Sequence, residues 1–456
     1  MPIISKSKRW LWILPYLFLA PWLIGLLVFN AIPILSSLYL SFTNYNFVSS
    51  PNWIGLKNYV TMFGKDPQYL QALKVTVTYV LVAVPLELAF ALFLALVLNK
   101  GIRALGFYRA VYYVPSLIGG SVAIAILWQQ VFGERGIVNQ VLSLIGIDMP
   151  SWVGTPDYAI WSIIFLKVWQ FGSPMVIFLA GLKQIPPDYY EASSLDGAGK
   201  WSQFYHVTLP ILSPIVLFNA IMQIISSFQA FTPAYIISNG TGGPVNSTLF
   251  YTLYLYQNGF GNFQMGYASA MAWALLVIIA FFTGLIFITS KKMGSLRRLG
   301  VTDIMAMRVQ VQKLLLHALI IAGFIIMLYP ILWMIISSFK PTETILTDNS
   351  LWPRNLTLSN YIKGWKGTSG TTFTTFYMNS LLMVGLAVVG NIISCSLAAY
   401  AFARLEFKGK KAMFALMLMT MMIPMHVLVV PQYIIFNKLE WVNTILPIVV
   451  PKFFCR

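Results

Sequence analysis

The sequence predicts an all-α fold, a polytopic bundle of transmembrane helices with the N-terminus in the cytoplasm, on three observations. Of the 456 residues, 58% are hydrophobic and 9% are charged, and the mean hydropathy is +0.75. Because so few polar side chains could not cover a soluble core of this size, a bilayer is the expected solvent. Apolar runs also recur near the length of about 20 residues that spans a membrane. Finally, basic residues concentrate in alternate loops.

Nine apolar runs are long enough to cross a bilayer, and a tenth begins at Ile445 and reaches the last residue. The first run is not followed by a small-residue cleavage site, so it is predicted to be a retained helix rather than a signal peptide. The nine runs cover approximately 11–42, 76–98, 110–131, 160–182, 211–231, 267–289, 314–336, 376–402 and 412–433.

The distribution of charge supports a cytoplasmic N-terminus. With that orientation the inner segments hold 18 lysines and arginines and the outer loops hold 9, as the positive-inside rule requires. The net charge of +17 therefore does not form one basic patch, and nucleic acid is not expected as a partner. Cys395 and Cys455 indicate neither a disulfide framework nor a metal site. The histidines fall in separate segments, without metal-ligand spacing.

The chain repeats an order of features, which predicts two related halves. Asn58 and Asn360 lie in similar motifs, WIGLKNYV and LTLSNYIK, 302 positions apart. Two further pairs follow at offsets of 309 and 304, namely Pro115 with Pro424 and Asn139 with Asn443.

The repeat divides the chain into three predicted parts. Residues 1–290 are expected to form a first unit of six transmembrane helices, and 291–313 a basic cytoplasmic linker. Residues 314–456 are expected to form a truncated second unit of about three and a half helices. The counterpart of the acidic segment at 188–210 would fall beyond residue 456.

That acidic segment separates the fourth and fifth runs, on the predicted cytoplasmic side. Two adjacent prolines are expected to end the fourth helix. Asp188 is predicted to cap a short helix with Glu191 in its first turn, where a negative charge suits the helix dipole. Gly197 and Gly199 are predicted to break this helix and permit a turn.

A second short helix near 201–207 is expected to lead to Pro210, which opens the fifth span. Small residues, among them Ala192 and Ser193, leave one face of the first helix without long projecting side chains. The segment is therefore predicted to form two short helices joined by a bend, lying on the membrane surface, with a shape suited to a pocket of another protein.

The spacing of this segment resembles the coupling loop of the permease subunits of ATP-binding cassette (ABC) importers, in which Glu-Ala-Ala is followed by a glycine and then by Ile-x-Leu-Pro. Two positions depart conservatively, with serine for alanine at 193 and valine for isoleucine at 207. The resemblance implies the type I ABC importer permease fold and coupling to an ATPase through 188–210. The residues that carry it are Glu191, Ala192, Ser193, Gly197, Val207, Leu209 and Pro210.

Beyond the loop, the first half resembles the first permease of a sugar importer of the maltose or multiple-sugar class. The stretches SSFKPTETI and YAFARLEFKGKK resemble its partner permease, which implies a fusion of two permease subunits with the second truncated. The resemblance also implies a multi-pass protein of the bacterial inner membrane. Its partners would be a cytoplasmic ATPase dimer, an external solute-binding protein, a second permease subunit and a sugar.

The resemblance further implies that the chain is not an enzyme and binds no cofactor. ATP and Mg²⁺ would be used by the partner ATPase, and the sequence has no GxxxxGK[ST] phosphate-binding loop of its own.

Polar residues in the fourth and fifth runs are candidates for the substrate pathway, because a sugar needs amide and hydroxyl partners and flat apolar faces. On the fifth run, four of them, at 219, 223, 226 and 227, form a stripe at helical spacing that should face the bundle interior, and Gln229 lies off that stripe but close to it. Interhelical hydrogen bonding would explain the stripe equally well. The candidates are Asn219, Gln223, Ser226, Ser227, Gln229, Trp169 and Gln170.

Three nearby side chains have alternative explanations. Trp169 would either stack on a sugar ring or anchor the helix at the membrane interface. Lys167 would either snorkel outward or pair with an acid. Glu87 is expected to make a structural hydrogen bond to a neighbouring helix rather than to bind a ligand.

Two alternatives to an importer permease remain open at the level of sequence. A proton-coupled sugar carrier is also a duplicated membrane bundle, although such carriers bury a relay of acids and here only Glu87 lies well inside a run. An inactive truncated fusion would carry the same motifs.

Overall fold

The computed structural model describes residues 7–46, 49–99, 105–293, 309–345, 355–367, 370–421 and 425–454. Within these ranges the chain is helical and has no β-strand, which confirms the all-α prediction. In chain order the α-helices span Ser7–Gly25, Ile32–Ser41, Lys57–Gly64, Pro67–Leu98, Leu105–Ile118, Val122–Val131, Ile137–Leu144, Pro156–Trp169, Gly172–Leu182, Pro187–Leu195, Lys200–Gln203, Leu209–Phe228, Thr232–Ile237, Tyr251–Tyr256, Met265–Met293, Val309–Ser337, Ser359–Lys366, Phe373–Arg404, Lys410–Met421, Met425–Lys438 and Leu446–Val449.

Six helices in the described ranges are long and apolar enough to cross a membrane, and two bent pairs would raise the number to eight. The bent pairs replace two runs that the sequence predicts as single spans. Gly106–Ile118 meets Val122–Val131 at 100°, and Pro156–Trp169 meets Gly172–Leu182 at 40°. The six unbroken candidates are Ile13–Ser41, Pro67–Leu98, Lys200–Ile237, Met265–Ile288, Ile320–Ser337 and Phe373–Arg404.

The second span begins earlier than the apolar run predicts, at Pro67 instead of residue 76. Asp66 caps it, because the Asp66 Oδ1 accepts hydrogen bonds from the backbone N–H groups of Gln68 and Tyr69 at 3.0 and 3.1 Å. Tyr254 donates to the other carboxylate oxygen at 2.7 Å. A hydropathy count misses these first turns because they are polar.

The chain packs as two compact units, each made of segments distant in sequence. One comprises Met1–Lys65, Leu255–Val277 and Tyr361–Arg456, and the other Asp66–Tyr254 and Ile278–Asn360. The predicted division of the chain into two related permease units, with boundaries at 290 and 314, stays a prediction. Most of the predicted linker, 294–308, and Pro424 lie outside the described residues.

In the Asp66–Tyr254 unit, the Pro67–Leu98 helix lies at the centre. It packs against Pro156–Trp169, Gly172–Leu182 and Leu209–Phe228. Its contact face is lined with small residues that let helix backbones approach closely, including the fully buried Ala72, Ala83 and Ala91.

The unit that contains the N-terminus has its own core. Its first helix, Ser7–Gly25, packs against Phe373–Arg404. Their contact buries large side chains of one helix against small ones of the other, namely Leu19, Trp22, Ala398 and Ala401, with Leu26.

Asn58 ties down the end of the Ile32–Ser41 helix. Its Nδ2 donates to Ser41 O at 2.8 Å and to Thr43 O at 2.9 Å. The last carbonyls of a helix have no partner within the helix, so a buried amide that pairs with the carbonyl of Ser41 and with that of Thr43, two residues later, closes the helix end.

Asn360 makes the same arrangement in the other unit. Its Nδ2 donates to Ser338 O at 3.0 Å and to Lys340 O, just after the Val309–Ser337 helix. The two asparagines that mark the sequence repeat thus occupy matching local structures, which is what a duplication would produce.

The other pair of asparagines in the predicted repeat does not match in structure. Asn139 lies within a helix, and its Nδ2 donates to three carbonyls that include Met149 O at 2.9 Å. Asn443 lies outside a helix, with a φ of +64°. The repeat is therefore supported at Asn58 and Asn360 and not at this pair.

Candidate functional site

Two helical legs joined by a tight turn form the segment 186–210, called the elbow below. The first leg ends in a Schellman motif, in which the Ala198 N–H donates to Ser193 O (2.9 Å) and the Gly197 N–H to Ser194 O (3.1 Å). Gly197 has a φ of +79°, in the left-handed region that glycine enters without steric cost. The predicted break at Gly197 is therefore present.

The start of the first leg differs from the prediction. Pro186 occupies the N-cap and Pro187 the first helical position, where a missing N–H costs nothing. Asp188 therefore lies inside the first turn, and the prediction that it caps the helix is wrong. Glu191 lies beyond the first turn, so the prediction that placed it there is wrong too.

The second leg is not a separate short helix ending before Pro210, and that prediction is also wrong. The leg begins at Lys200 and continues through a π turn at Phe204–Thr208 into the Leu209–Phe228 helix. A π turn contains one more residue per turn than an α-helix, and this one ends two residues before Pro210, which has no N–H to donate to the preceding turn. Val207 lies in the π turn, and the elbow is continuous with the fifth span.

Side-chain hydrogen bonds tie the two legs together. Tyr190 OH lies 3.0 Å from Thr208 Oγ1. Gln203 Nε2 donates to Ser194 Oγ at 2.8 Å and to Tyr190 O at 3.3 Å. The elbow therefore holds its shape although neither leg is buried. Sequence reasoning missed Tyr190 and Gln203, because contacts between the legs leave no periodic pattern.

The elbow presents a large apolar surface. Leu195 is 91% exposed and Trp201 is 76% exposed. Trp201 stacks on Tyr205 with the ring centroids 6.3 Å apart. Glu191 and Ala192 are exposed as well. Sequence reasoning stressed the small residues and missed these large ones, although apolar residues within a charged loop could have signalled them. Such a surface is suited to burial against another protein.

The Leu209–Phe228 helix brings three of the predicted pathway residues to one face. Asn219 is buried, and its Nδ2 lies 3.5 Å from Pro174 O. Gln223 is half-buried and Ser227 is buried. These residues follow one another at intervals of four, so they form a polar line along the helix.

Two further candidates lie off this line. Ser226 is exposed, since consecutive helical residues point about 100° apart and it cannot share the buried side of Ser227. Gln229 follows the helix as its C-cap, with its backbone N–H donating to Ser226 O at 3.2 Å. The prediction that Ser226 shares the stripe is therefore wrong, whereas Gln229 lies off the stripe as predicted.

A buried ion pair connects three helices beside the polar line. Lys167 Nζ lies 3.4 Å from Glu87 Oε2 and donates to Gln223 Oε1 at 2.7 Å. Glu87 is 1% exposed and the Lys167 side chain 12%. Of the two explanations for Lys167, pairing with an acid is the one that the structure shows. Glu87 contacts a neighbouring helix through this ion pair, but its Oε2 makes no hydrogen bond within the described residues, so the expected structural hydrogen bond is not seen at that oxygen.

Trp169 and Gln170 lie where the two bent helix pairs meet. Trp169 is 4% exposed, packs on Trp128 at a centroid distance of 5.4 Å, and lies 3.4 Å from Met327 O through Nε1. Gln170 Nε2 donates to Gly119 O at 3.0 Å. In this conformation both side chains join helices.

The family comparison matches residues 67–295 to the inner membrane component of binding-protein-dependent transport systems. The chain belongs to this family. Its members are permease subunits of ABC transporters, so the chain is an ABC permease of the bacterial inner membrane and not an enzyme.

Curated proteins of similar sequence are also transport-system permeases. The probable ABC transporter permease protein YesP of Bacillus subtilis is 54% identical over 276 residues, which are 60% of this chain and 89% of the relative. The lactose transport system permease protein LacF of Rhizobium radiobacter is 34% identical over 63% of this chain and 97% of its own length. The predicted fusion with a truncated second permease unit stays a prediction.

Solved structures show the same fold. A permease chain of a bacterial alginate ABC transporter, crystallised with an alginate pentasaccharide-bound periplasmic protein, has a TM-score of 0.54 at 22% identity. The match covers 66% of the permease and all of that chain. This likeness confirms the ABC importer permease fold.

In the permease, Gly119→Ala is expected to destabilise the junction of the bent helices by about 1–3 kcal/mol through overpacking. A Cβ at Gly119 would lie 2.6 Å from Pro115 O and would also press on the Gln170 side chain. The matched control is Gly120→Ala, where a Cβ meets nothing within 4 Å. The thermal unfolding midpoint in detergent measures the difference. Equal midpoints for the two variants would contradict the packing argument.

Proposed function

We propose that this permease forms part of the translocation pathway of a carbohydrate importer and is driven through the elbow. The observation that supports this most is continuity: the elbow and the polar line share one helical run from Lys200 to Phe228. Lys200 and Gln223 are about 35 Å apart at 1.5 Å per residue. A displacement of the elbow would therefore move the polar line.

In this proposal the elbow docks into a cytoplasmic ATPase dimer. The contact would use the exposed residues Glu191 and Ala192, while Ser193 and Gly197 shape the turn and Val207, Leu209 and Pro210 join it to the span. ATP and Mg²⁺ would be bound by the ATPase, and this chain would bind no cofactor. A solute-binding protein would deliver the sugar from outside, and a second permease subunit would complete the pathway.

The substrate class is proposed from chemistry and from relatives together. Asn219 and Gln223 offer amide groups, which suit hydroxyl-rich ligands. The relatives include permeases named for lactose, for arabinooligosaccharides and for trehalose and maltose. A neutral carbohydrate is therefore the proposed cargo.

The proposal is tested by reconstituting the chain in liposomes with its candidate ATPase and binding proteins. Uptake of labelled lactose, maltose, trehalose and arabinooligosaccharides is measured with and without ATP, and with a protonophore. We expect uptake of at least one of these sugars that requires ATP and persists with the protonophore.

Two other outcomes would count against the proposal. Uptake that needs no ATP and stops with the protonophore would indicate a proton-coupled carrier; the pairing of Glu87 with Lys167 does not favour one. ATPase binding without uptake of any sugar, even when a separate second permease is supplied, would contradict the carbohydrate assignment. Uptake only after that addition would support the predicted truncation of the second unit.

A further inference from the structure

The contact between Lys167 and Gln223 determines which end of the Gln223 amide faces away from the ion pair. An ammonium group can only donate hydrogen bonds, so it must meet the amide oxygen and not the NH₂ group. The observed contact, Lys167 Nζ to Gln223 Oε1 at 2.7 Å, satisfies this requirement. The NH₂ group of Gln223 is therefore directed elsewhere.

That NH₂ group is available to a ligand. Among the described residues nothing accepts a hydrogen bond from Gln223 Nε2, and this nitrogen is not one of the buried atoms left without a partner. It lies on the polar line of the fifth span, one turn after Asn219. The group therefore offers two N–H donors at an accessible position inside the helical bundle.

Glu87 explains how Lys167 can occupy this place. A lone ammonium inside a membrane protein is costly, and a carboxylate at 3.4 Å balances its charge. Glu87 lies on the Pro67–Leu98 helix, Lys167 on Pro156–Trp169 and Gln223 on Leu209–Phe228. Lys167 thus contacts the amide directly, and Glu87 acts on the amide only through Lys167.

We propose that Glu87 and Lys167 are positioning residues, which orient Gln223 so that its NH₂ group donates to the hydroxyl or ring oxygens of a neutral carbohydrate. The inference rests on the proposed function for the nature of the ligand. The orientation of the amide does not depend on it, and the two parts are tested separately.

The test removes the orientation without leaving a buried charge. Lys167→Met alone would strand Glu87 in the interior and could prevent folding, so the working variant is the double substitution E87Q/K167M. Lys167→Arg keeps a donor and a positive charge. Gln223→Leu removes the amide, and the triple variant combines all three losses.

The first readout is uptake of whichever tested sugar the wild type transports, at a fixed excess of binding protein. Loss of one oriented hydrogen bond is expected to raise the half-saturating sugar concentration about 2- to 10-fold in E87Q/K167M, while Lys167→Arg stays close to wild type. Gln223→Leu should show a similar rise, and the triple variant no further rise, because Lys167 acts through Gln223.

A merely structural ion pair would give a different pattern. The unfolding midpoint of E87Q/K167M would fall while its half-saturating concentration stayed at the wild-type value. Effects of the pair and of Gln223 that multiply in the triple variant would likewise overturn the proposal, since they would show independent action.

The second readout needs no sugar. In protein labelled with ¹⁵N-glutamine, the Gln223 side-chain signal is identified by its loss in Gln223→Leu. It should shift in E87Q/K167M and remain in place in Lys167→Arg. An unshifted signal in the double variant would overturn the inference even if sugar uptake were confirmed. A shifted signal without uptake of any sugar would sustain the orientation and refute only the carbohydrate assignment.

Discussion

Replacing Gly197 with proline is expected to abolish ATP-driven transport while the protein still inserts in the membrane. Proline fixes φ near −65°, whereas Gly197 has a φ of +79°. The substitution would also remove the Gly197 N–H that bonds Ser194 O. The turn must then open, and the two legs of the elbow lose their relative orientation. Uptake into liposomes and ATPase activity of the assembled complex measure the effect.

A neighbouring glycine provides the matched control. Gly199 lies in the same turn with a φ of −69°, and a Cβ there would meet nothing within 4 Å. Gly199→Ala should therefore transport at a rate close to wild type. Normal uptake by Gly197→Pro, or an equal loss in both variants, would show that the left-handed turn is not needed for coupling.

Replacing Trp201 with alanine is expected to weaken binding of the ATPase by about 30-fold or more, as truncation of a central aromatic anchor does at protein interfaces. Trp201 is 76% exposed, so its removal should cost the folded permease little. Its stacking on Tyr205 holds the ring in place before binding, which reduces the entropy lost on association. Titration of the labelled ATPase against permease in nanodiscs measures the affinity.

Trp53 serves as the control for this prediction, because it is 63% exposed and lies in a predicted outer loop. Trp53→Ala should leave ATPase affinity unchanged. An ATPase that binds Trp201→Ala as tightly as wild type would mean that the elbow docks through its small residues alone, as the sequence motif first suggested.

Features that depend on residue type and local pattern were predictable from the sequence. The apolar runs marked the spans because a bilayer selects apolar residues of sufficient length. Gly197 marked the turn because few other residues enter the left-handed region. The elbow itself was predictable for these reasons, although its boundaries were not, since Pro187 fits the first turn of a helix as readily as it ends one.

Features that depend on contacts between distant residues were not predictable in the same way. Lys167 is 80 positions from Glu87, so the sequence allowed both snorkelling and pairing. The bends after Ile118 and Trp169 were missed because hydropathy reports the length of an apolar run and not its direction. Trp169 looked free to meet a sugar, but its packing on Trp128 is a property of the folded bundle.

Asn58 and Asn360 each bind two backbone carbonyls at the end of a helix, an arrangement called a clamp below. The two clamps bear on how the segments that connect the helices can evolve. Each clamp fixes both ends of a connecting segment at its base, and the segments differ in length, 44–57 in one unit and 341–359 in the other. The entropy lost in closing a loop grows only slowly with its length. We therefore expect insertions between the pinned ends to be tolerated, so that the chain can diversify there without loosening the helices to which the segments are attached.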